Sequence, residues 1–441
     1  MPNSRISIVP RPFPALLLLA LSIFVPGLLH AQQSEIPPAT LDQPVAEGQH
    51  EPERIVEGRP RLYSVKRFLH PVSWLEGGVR PLLRVIGNAG EGAASPGQKA
   101  VRPSGVKFGI RGLGAGSGFG PEVKPFHNNL FNKSIEVELP LVVTYGMYES
   151  FGFRGNYPLV SGGVAERIGL EFTTGYTSRP SENFFGAGND TSLEYQSRYR
   201  AVSRNAAVAI DARINNVWTA RLQTGYRSVG ITRARNYRSA QDVFQSQDIP
   251  GLLTGARFIS TSASIQRNTK DHPHLASEGG IQRLEAGLNE GDERSNFSYW
   301  RFRYDMQQFF PLSSDHRKVM AFKAGLETNQ EKGGSAVPFF DLPTIGSYGT
   351  LRGFESRRFA DKSALNFSAE YRYRIWRHLD WGLFVDQGQV APEIGDFGLS
   401  RLHTGYGMRF TVRPPEDRAV NIEVGHSNEA WRFYVDFSPV F

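Results

Sequence analysis

The chain has 441 residues, a formal net charge of +7, 46 glycines, 12% aromatic side chains and no cysteine, which excludes disulfides, thiolate nucleophiles and Cys-ligated zinc or iron–sulfur centres. A mean hydropathy of −0.35 excludes a bundle of membrane helices, each needing about 20 apolar residues, yet admits a transmembrane β-barrel, whose strands turn alternate residues to water. The positive charge is mild and dispersed, without the Lys/Arg block of a nucleic-acid stripe, so no nucleic acid is expected as partner.

Residues 1–31 read as a signal peptide. Arg5 and Arg11 precede the apolar run Leu16–Val25, Pro26 and Gly27 break it, and Leu29-His30-Ala31 offers a small residue at the cut. Loss of those two arginines lowers the net charge to +5. Residues 32–104 read as a periplasmic linker. Its first part interleaves Pro37, Pro38, Pro44, Pro52 and Pro60 with Glu35, Glu51, Glu53 and Glu57, too polar to bury a core. An apolar cluster at 62–86 (Phe68, Val72, Trp74, Leu75, Leu82, Leu83) admits a short helix opened by a Ser73/Glu76 capping box. Such a helix cannot form a domain alone. It rests on the membrane surface, in a barrel lumen or on a partner, as a tether or a plug.

From 105 to 441 the period is two. Leu365, Phe367, Ala369, Tyr371, Tyr373 and Ile375 oppose Asn366, Ser368, Glu370, Arg372 and Arg374. Trp300, Phe302, Tyr304 and Met306 oppose Arg301, Arg303, Asp305 and Gln307. Alternation at this period is the strand signal, and charges on one face with aromatics on the other fit a wall between lipid and a wet lumen. Candidate strands fall at 105–116, 117–127, 133–145, 147–157, 163–178, 194–211, 216–231, 253–268, 280–290, 296–310, 317–328, 362–376, 379–389, 402–412, 418–427 and 430–441. The expected fold is all-β: a transmembrane antiparallel β-barrel of about 16 strands, in which short turns alternate with long loops such as 232–251 and 330–361. At the carboxyl end Phe433, Val435, Phe437 and the terminal Phe441 share one face. This pattern resembles the signal that the barrel assembly machinery reads on outer-membrane proteins.

Several motifs occur in order. Gly346-Ser347-Tyr348-Gly349-Thr350-Leu351-Arg352-Gly353-Phe354 resembles the Arg-Gly-Phe/Tyr loop of the bacterial surface antigen superfamily, the BamA/TamA-type outer-membrane barrels. Phe384-Val385-Asp386-Gln387-Gly388 resembles its F-x-D-x-G strand, and Gly405-x-Gly407-x-Arg409 its glycine-rich strand two before the last. Phe184–Asp190 resembles a further recurrent segment, and Asn268–Gly280 the family's periplasmic turn. No POTRA domain is read between leader and barrel, a departure from members that fold or translocate proteins.

Alternation turns Trp381, Leu383 and Val385 to lipid and Phe384, Asp386 and Gly388 to the lumen. A carboxylate there needs a partner, and a loop arginine folded inward would supply a charge-assisted, bidentate bond. The resemblance implies that Arg352 is that partner, so Leu351, Arg352, Gly353 and Phe354 form a loop lock and Gly388 leaves room for the loop. No enzyme is expected: Ser117 lacks the flanking pattern of a nucleophile elbow, and His426-Ser427-Asn428 reads as a tight turn. No catalytic residue, cofactor or metal is expected, and His272-Pro273-His274 reads as an exposed turn. The resemblance implies a role in assisting insertion or translocation of proteins or lipids, and a monomer is expected. Its expected partners are outer-membrane lipid, the assembly machinery for its own insertion, and client proteins or lipids. A passive pore or surface-exposed structural antigen is the alternative.

Overall fold

The structure is a computed structural model that describes residues 104–114, 116–159, 168–292, 295–413 and 420–436. The leader, most of the linker, the candidate helix at 62–86, Phe437 and Phe441 lie outside the described residues.

The strands are β1 (Ser104–Gly112), β2 (Phe119–Leu130), β3 (Ile135–Glu138), β4 (Leu141–Val143), β5 (Glu149–Pro158), β6 (Ile168–Phe184), β7 (Ser197–Arg213), β8 (Trp218–Arg233), β9 (Ala256–Asn268) and β10 (Gly279–Gly291). They continue as β11 (Ser298–Pro311), β12 (Lys318–Glu331), β13 (Thr344–Ile345), β14 (Phe359–Ala360), β15 (Ser363–Trp376), β16 (Leu379–Ala391), β17 (His403–Val412), β18 (Val420–His426) and β19 (Trp431–Asp436). All but β13 and β14 belong to one 17-stranded sheet. Every pairing in it is antiparallel, and outside β2–β5 each joins strands that follow one another in the sheet along the chain, with β12 passing to β15 across the longest loop. β3 and β4 lie end to end between β2 and β5. The wall is therefore sixteen strands wide, in the order read from the alternation.

Most strand ends fall within a few residues of the sequence reading, and two larger differences turn on prolines. The expected strand 133–145 divides at Leu139-Pro140, because proline has no N–H to donate and the ladder resumes only at Leu141. The expected strand 163–178 runs on to Phe184. Pro180 sits in a register shift between Arg179 and Glu182, and a bulge tolerates a proline that a regular ladder would not.

The period-two pattern sorts the faces as expected. In β16, Leu383 and Val385 are 46% and 47% exposed, whereas Phe384 and Asp386 are each 2% exposed. The sheet curls around its polar face. Arg358, in the β12–β15 loop, donates to Thr191 beyond β6 and to Glu429 between β18 and β19, strands far apart in the meander. The interior is filled mainly by that loop. Its residues Ile345, Leu351, Phe354 and Phe359 pack with Ala364 and Val390 of the wall. Burying a large apolar side chain contributes about 1.5–3 kcal/mol, which offsets the cost of ordering a long loop. A second cluster (Phe184, Tyr199, Val229, Ile231, Leu252, Phe339) closes the long-loop end.

Candidate functional site: an arginine loop docked on lumen carboxylates

The loop reaches the wall through a tight turn. Thr350 Oγ1 accepts from Gly346 N at 2.9 Å and Leu351 N donates to Ser347 O at 3.1 Å, which sends Arg352 toward the inner face of β15–β18. There Arg352 Nε lies 2.7 Å from Asp386 Oδ2 and Nη2 lies 2.7 Å from Oδ1, a bidentate pair. The Arg352 backbone N–H also donates to Oδ2 at 3.0 Å. The remaining donors go to Glu370 (3.3 Å), Glu423 (3.2 Å) and Ser368 (3.1 Å), and the guanidinium stacks 3.3 Å above the centre of the Phe384 ring.

Arg409 completes the network, donating to Glu423 at 2.7 Å and to Glu370 at 2.8 Å. Two guanidiniums and three carboxylates, all buried, thus satisfy one another. Between buried side chains such bonds are strong when all are made and costly when one is left over.

Glycines let the loop approach. A Cβ on Gly405 would lie 1.9 Å from the Arg352 carbonyl oxygen, and one on Gly425 would lie 2.9 Å from Gly353 N. Gly353 itself has a φ of 93°, and its Cβ would strike the His426 backbone at 2.7 Å. Gly388 makes room for Ile345 of the loop, 3.0 Å from where its Cβ would stand, rather than for Arg352. The Tyr434 hydroxyl of β19 accepts from Gly353 N at 3.0 Å and donates to the Phe354 carbonyl at 3.4 Å.

Among the residues singled out from sequence, Arg352, Phe384 and Asp386 meet directly. Leu351 and Phe354 lie in the apolar cluster behind them, and Gly388 borders the loop hairpin. Phe433 and Val435 point outward, away from this site. Sequence reasoning did not single out Glu370, Glu423 and Ser368 as partners. Glu370 and Ser368 stood on the polar face of the 365–375 alternation, which was the available signal.

The long-loop end carries further anchors. Arg358 donates to Glu429 at 2.7 Å and to Thr191 Oγ1 at 2.8 Å. Asn189, in the segment Phe184–Asp190, accepts from Val390 N and donates to Arg401 O, both at 2.9 Å. Asp341 accepts from Arg227 Nη1 at 2.8 Å, from Arg227 Nη2, and from the Tyr299 hydroxyl at 2.7 Å. Burial alone would raise the Asp341 pKa, but the Arg227 guanidinium reverses this and holds it down at about 2.

A sixteen-strand wall with a long loop folded inward onto strand carboxylates matches a known architecture. Residues 145–415 match the family model described as Omp85 superfamily domain. The chain belongs to the Omp85 superfamily. The resemblance to BamA/TamA-type barrels read from the loop motifs therefore holds, and the protein is an Omp85-type outer-membrane barrel. Among solved structures, BamA from Haemophilus ducreyi lacking POTRA domains 1–3 is similar at 15% identity, over 85% of this chain and 81% of that one, with a TM-score of 0.60. CdiB from Escherichia coli is more distantly similar, at 12% identity over 79% of this chain and 62% of that one, with a TM-score of 0.48.

Proposed function

We propose that this Omp85-type barrel assists the insertion or translocation of proteins or lipids at the bacterial outer membrane, without catalysing a chemical reaction. The observation that carries the reading is the seam. The first and last described strands of the sheet, β1 and β19, pair with β2 and β18. Trp431 and Phe433 on β19 are 69% and 66% exposed, well above the outward residues of β16, which have a strand on either side. A thinly covered terminal strand is the place where a barrel wall opens most readily, and an opened edge templates the addition of another strand. Such an edge supports two activities, pairing with a client strand and disturbing the adjacent bilayer, and neither needs nucleotide. The partners in this reading are outer-membrane lipid, client proteins or lipids, and the assembly machinery for its own insertion; the barrel works as a monomer.

A passive pore is the second reading, favoured by a polar cavity of about 360 Å³ beside Arg352, lined in part by Lys323, Tyr348, Asp386, Glu423 and Asp436. Deletion of the protein, followed by outer-membrane proteomics and a lipid-asymmetry assay, separates them. The assembly reading expects loss of a subset of outer-membrane proteins or phospholipid in the outer leaflet; no change in either overturns it. Because the native chain lacks cysteine, cysteine pairs scanned between Val106–Ile110 and Phe433–Val435 can then tether the seam. A tethered protein that fully complements the deletion would remove the seam as the route.

A further inference from the structure

We infer that the short-turn end of the lumen holds a binding site for a phosphate-type oxyanion, built on Arg372. The inference does not depend on the assembly reading. Arg372 of β15 stands directly across the ladder from Gly382 of β16, and Gly382 stands across from Arg409 of β17. Gly382 therefore places no side chain between two inward-pointing guanidiniums. Arg409 is committed to Glu370 and Glu423. Arg372 is not: its side chain is 2% exposed, its Nη2 donates to the Ala276 carbonyl, and Nε and Nη1 have no hydrogen-bond partner among the described residues.

The surroundings carry surplus positive charge. Two residues along β15, Arg374 Nε is also without a hydrogen bond and lies 4.0 Å from Asp380 Oδ1. Arg413 Nε takes the other oxygen of Asp380 at 2.7 Å. Arg317 donates to the Arg374 carbonyl at 3.0 Å from Nη2, but its guanidinium lies over Tyr373 on the other face of β15. Two carboxylates face this group from the wall: Asp380, whose Oδ1 accepts no hydrogen bond among the described residues, and Glu370, which lies on the same face of β15 and is already bonded to Arg352 and Arg409. On the opposite side are Ala276, Phe309, Val319 and Ala321, an apolar cluster whose Phe309 ring centre lies 5.7 Å from the Arg372 guanidinium carbon.

A guanidinium out of water with unused donors calls for an anion. Unused N–H groups on two neighbouring arginines favour an oxyanion with several acceptors over a single carboxylate, and guanidinium is the group best matched to phosphate. Arg374 is a third exposed, so entry is from the short-turn mouth. The same chemistry is offered by a free phosphate ion and by the headgroup of an anionic phospholipid.

The full chain in detergent, titrated calorimetrically with inorganic phosphate at constant ionic strength, should show one saturable site. Arg372→Gln should weaken it about tenfold or more, the loss of charge-assisted bonds. Arg303→Gln should leave it unchanged, since Arg303 is paired with Asp305 elsewhere in the lumen. Should Arg372→Gln fail to fold, Arg374→Gln should weaken binding several-fold, and phosphate should raise the wild-type Tm above that in matched chloride. Nanodiscs distinguish the sources. If the headgroup is the ligand, phosphatidylglycerol discs suppress the phosphate titration relative to phosphatidylcholine discs, and the wild type retains phosphatidylglycerol on extraction. If the free ion is the ligand, the titration is the same in both. Absence of saturable phosphate binding together with absence of retained anionic lipid would overturn the site. So would equal binding by the wild type and both variants.

Discussion

Arg352→Ala tests the docked loop most severely. The guanidinium makes five side-chain bonds, two to Asp386 and one each to Glu370, Glu423 and Ser368. Its removal leaves Arg409 alone against Glu370 and Glu423, while Asp386 keeps only the Ser368 hydroxyl at 2.6 Å among side chains. Breaking a buried ion pair from one side costs about 3–5 kcal/mol. If that cost falls on loop docking, the undocked population rises by roughly two to three and a half powers of ten, at 1.4 kcal/mol per tenfold. Trypsin added from outside should then cut after Arg357 or Arg358, which remain in the variant, at a rate that follows the open population. Arg352→Lys keeps the charge and loses the fork, so it should fall between. A double-mutant cycle with Asp386→Asn, read as thermal stability in detergent, should give a coupling of about 1.5 kcal/mol or more. Unchanged protection from trypsin, with a coupling inside about 0.5 kcal/mol, would refute the reasoning.

Other perturbations reach the same account from different sides. Gly405→Ala cannot be accommodated with Arg352 in place, so it should expose the loop to trypsin as Arg352→Ala does, whereas Gly388→Ala, facing the flexible end of Ile345, should be milder. The depressed pKa of Asp341 contributes stability that is fully present above its unfolded value of 3.8 and is lost as pH falls through about 2. This is worth about 2 kcal/mol, and Asp341→Asn should remove that acid limb from a plot of Tm against pH. Leu383→Arg, on the lipid face, should destabilise the folded barrel by about 2–4 kcal/mol in refolding titrations, while Gln307→Arg, lining the lumen cavity, should cost far less.

Much of the fold was legible because a membrane wall imposes a strict period. Each strand of β15, β16 and β19 must turn one set of residues to lipid and the other inward, and a one-residue slip would reverse both. The boundaries that moved did so at prolines. The expected strand 163–178 stops short of Pro180, which a bulge absorbs, and the expected strand 133–145 runs through Pro140, which divides β3 from β4. At the site, Arg352 and Asp386 were visible as motif residues. Glu423 was not, because its contact with Arg352 joins a loop to β18 across 71 positions, a juxtaposition no local pattern encodes. The glycines at 405 and 407 were recognisable as a motif, but the reason for Gly405, a loop carbonyl against its backbone, exists only in three dimensions. Arg358 and Asp341 were invisible for the same reason: their partners lie in other loops and strands.

Single-channel recording in planar bilayers tests most directly whether the arginine loop, held by the carboxylates of β15, β16 and β18, closes the lumen. The account predicts a wild-type barrel that is closed most of the time and an Arg352→Ala variant with large, long-lived openings. A wild type that conducts steadily, at a level indistinguishable from the variant, would contradict it.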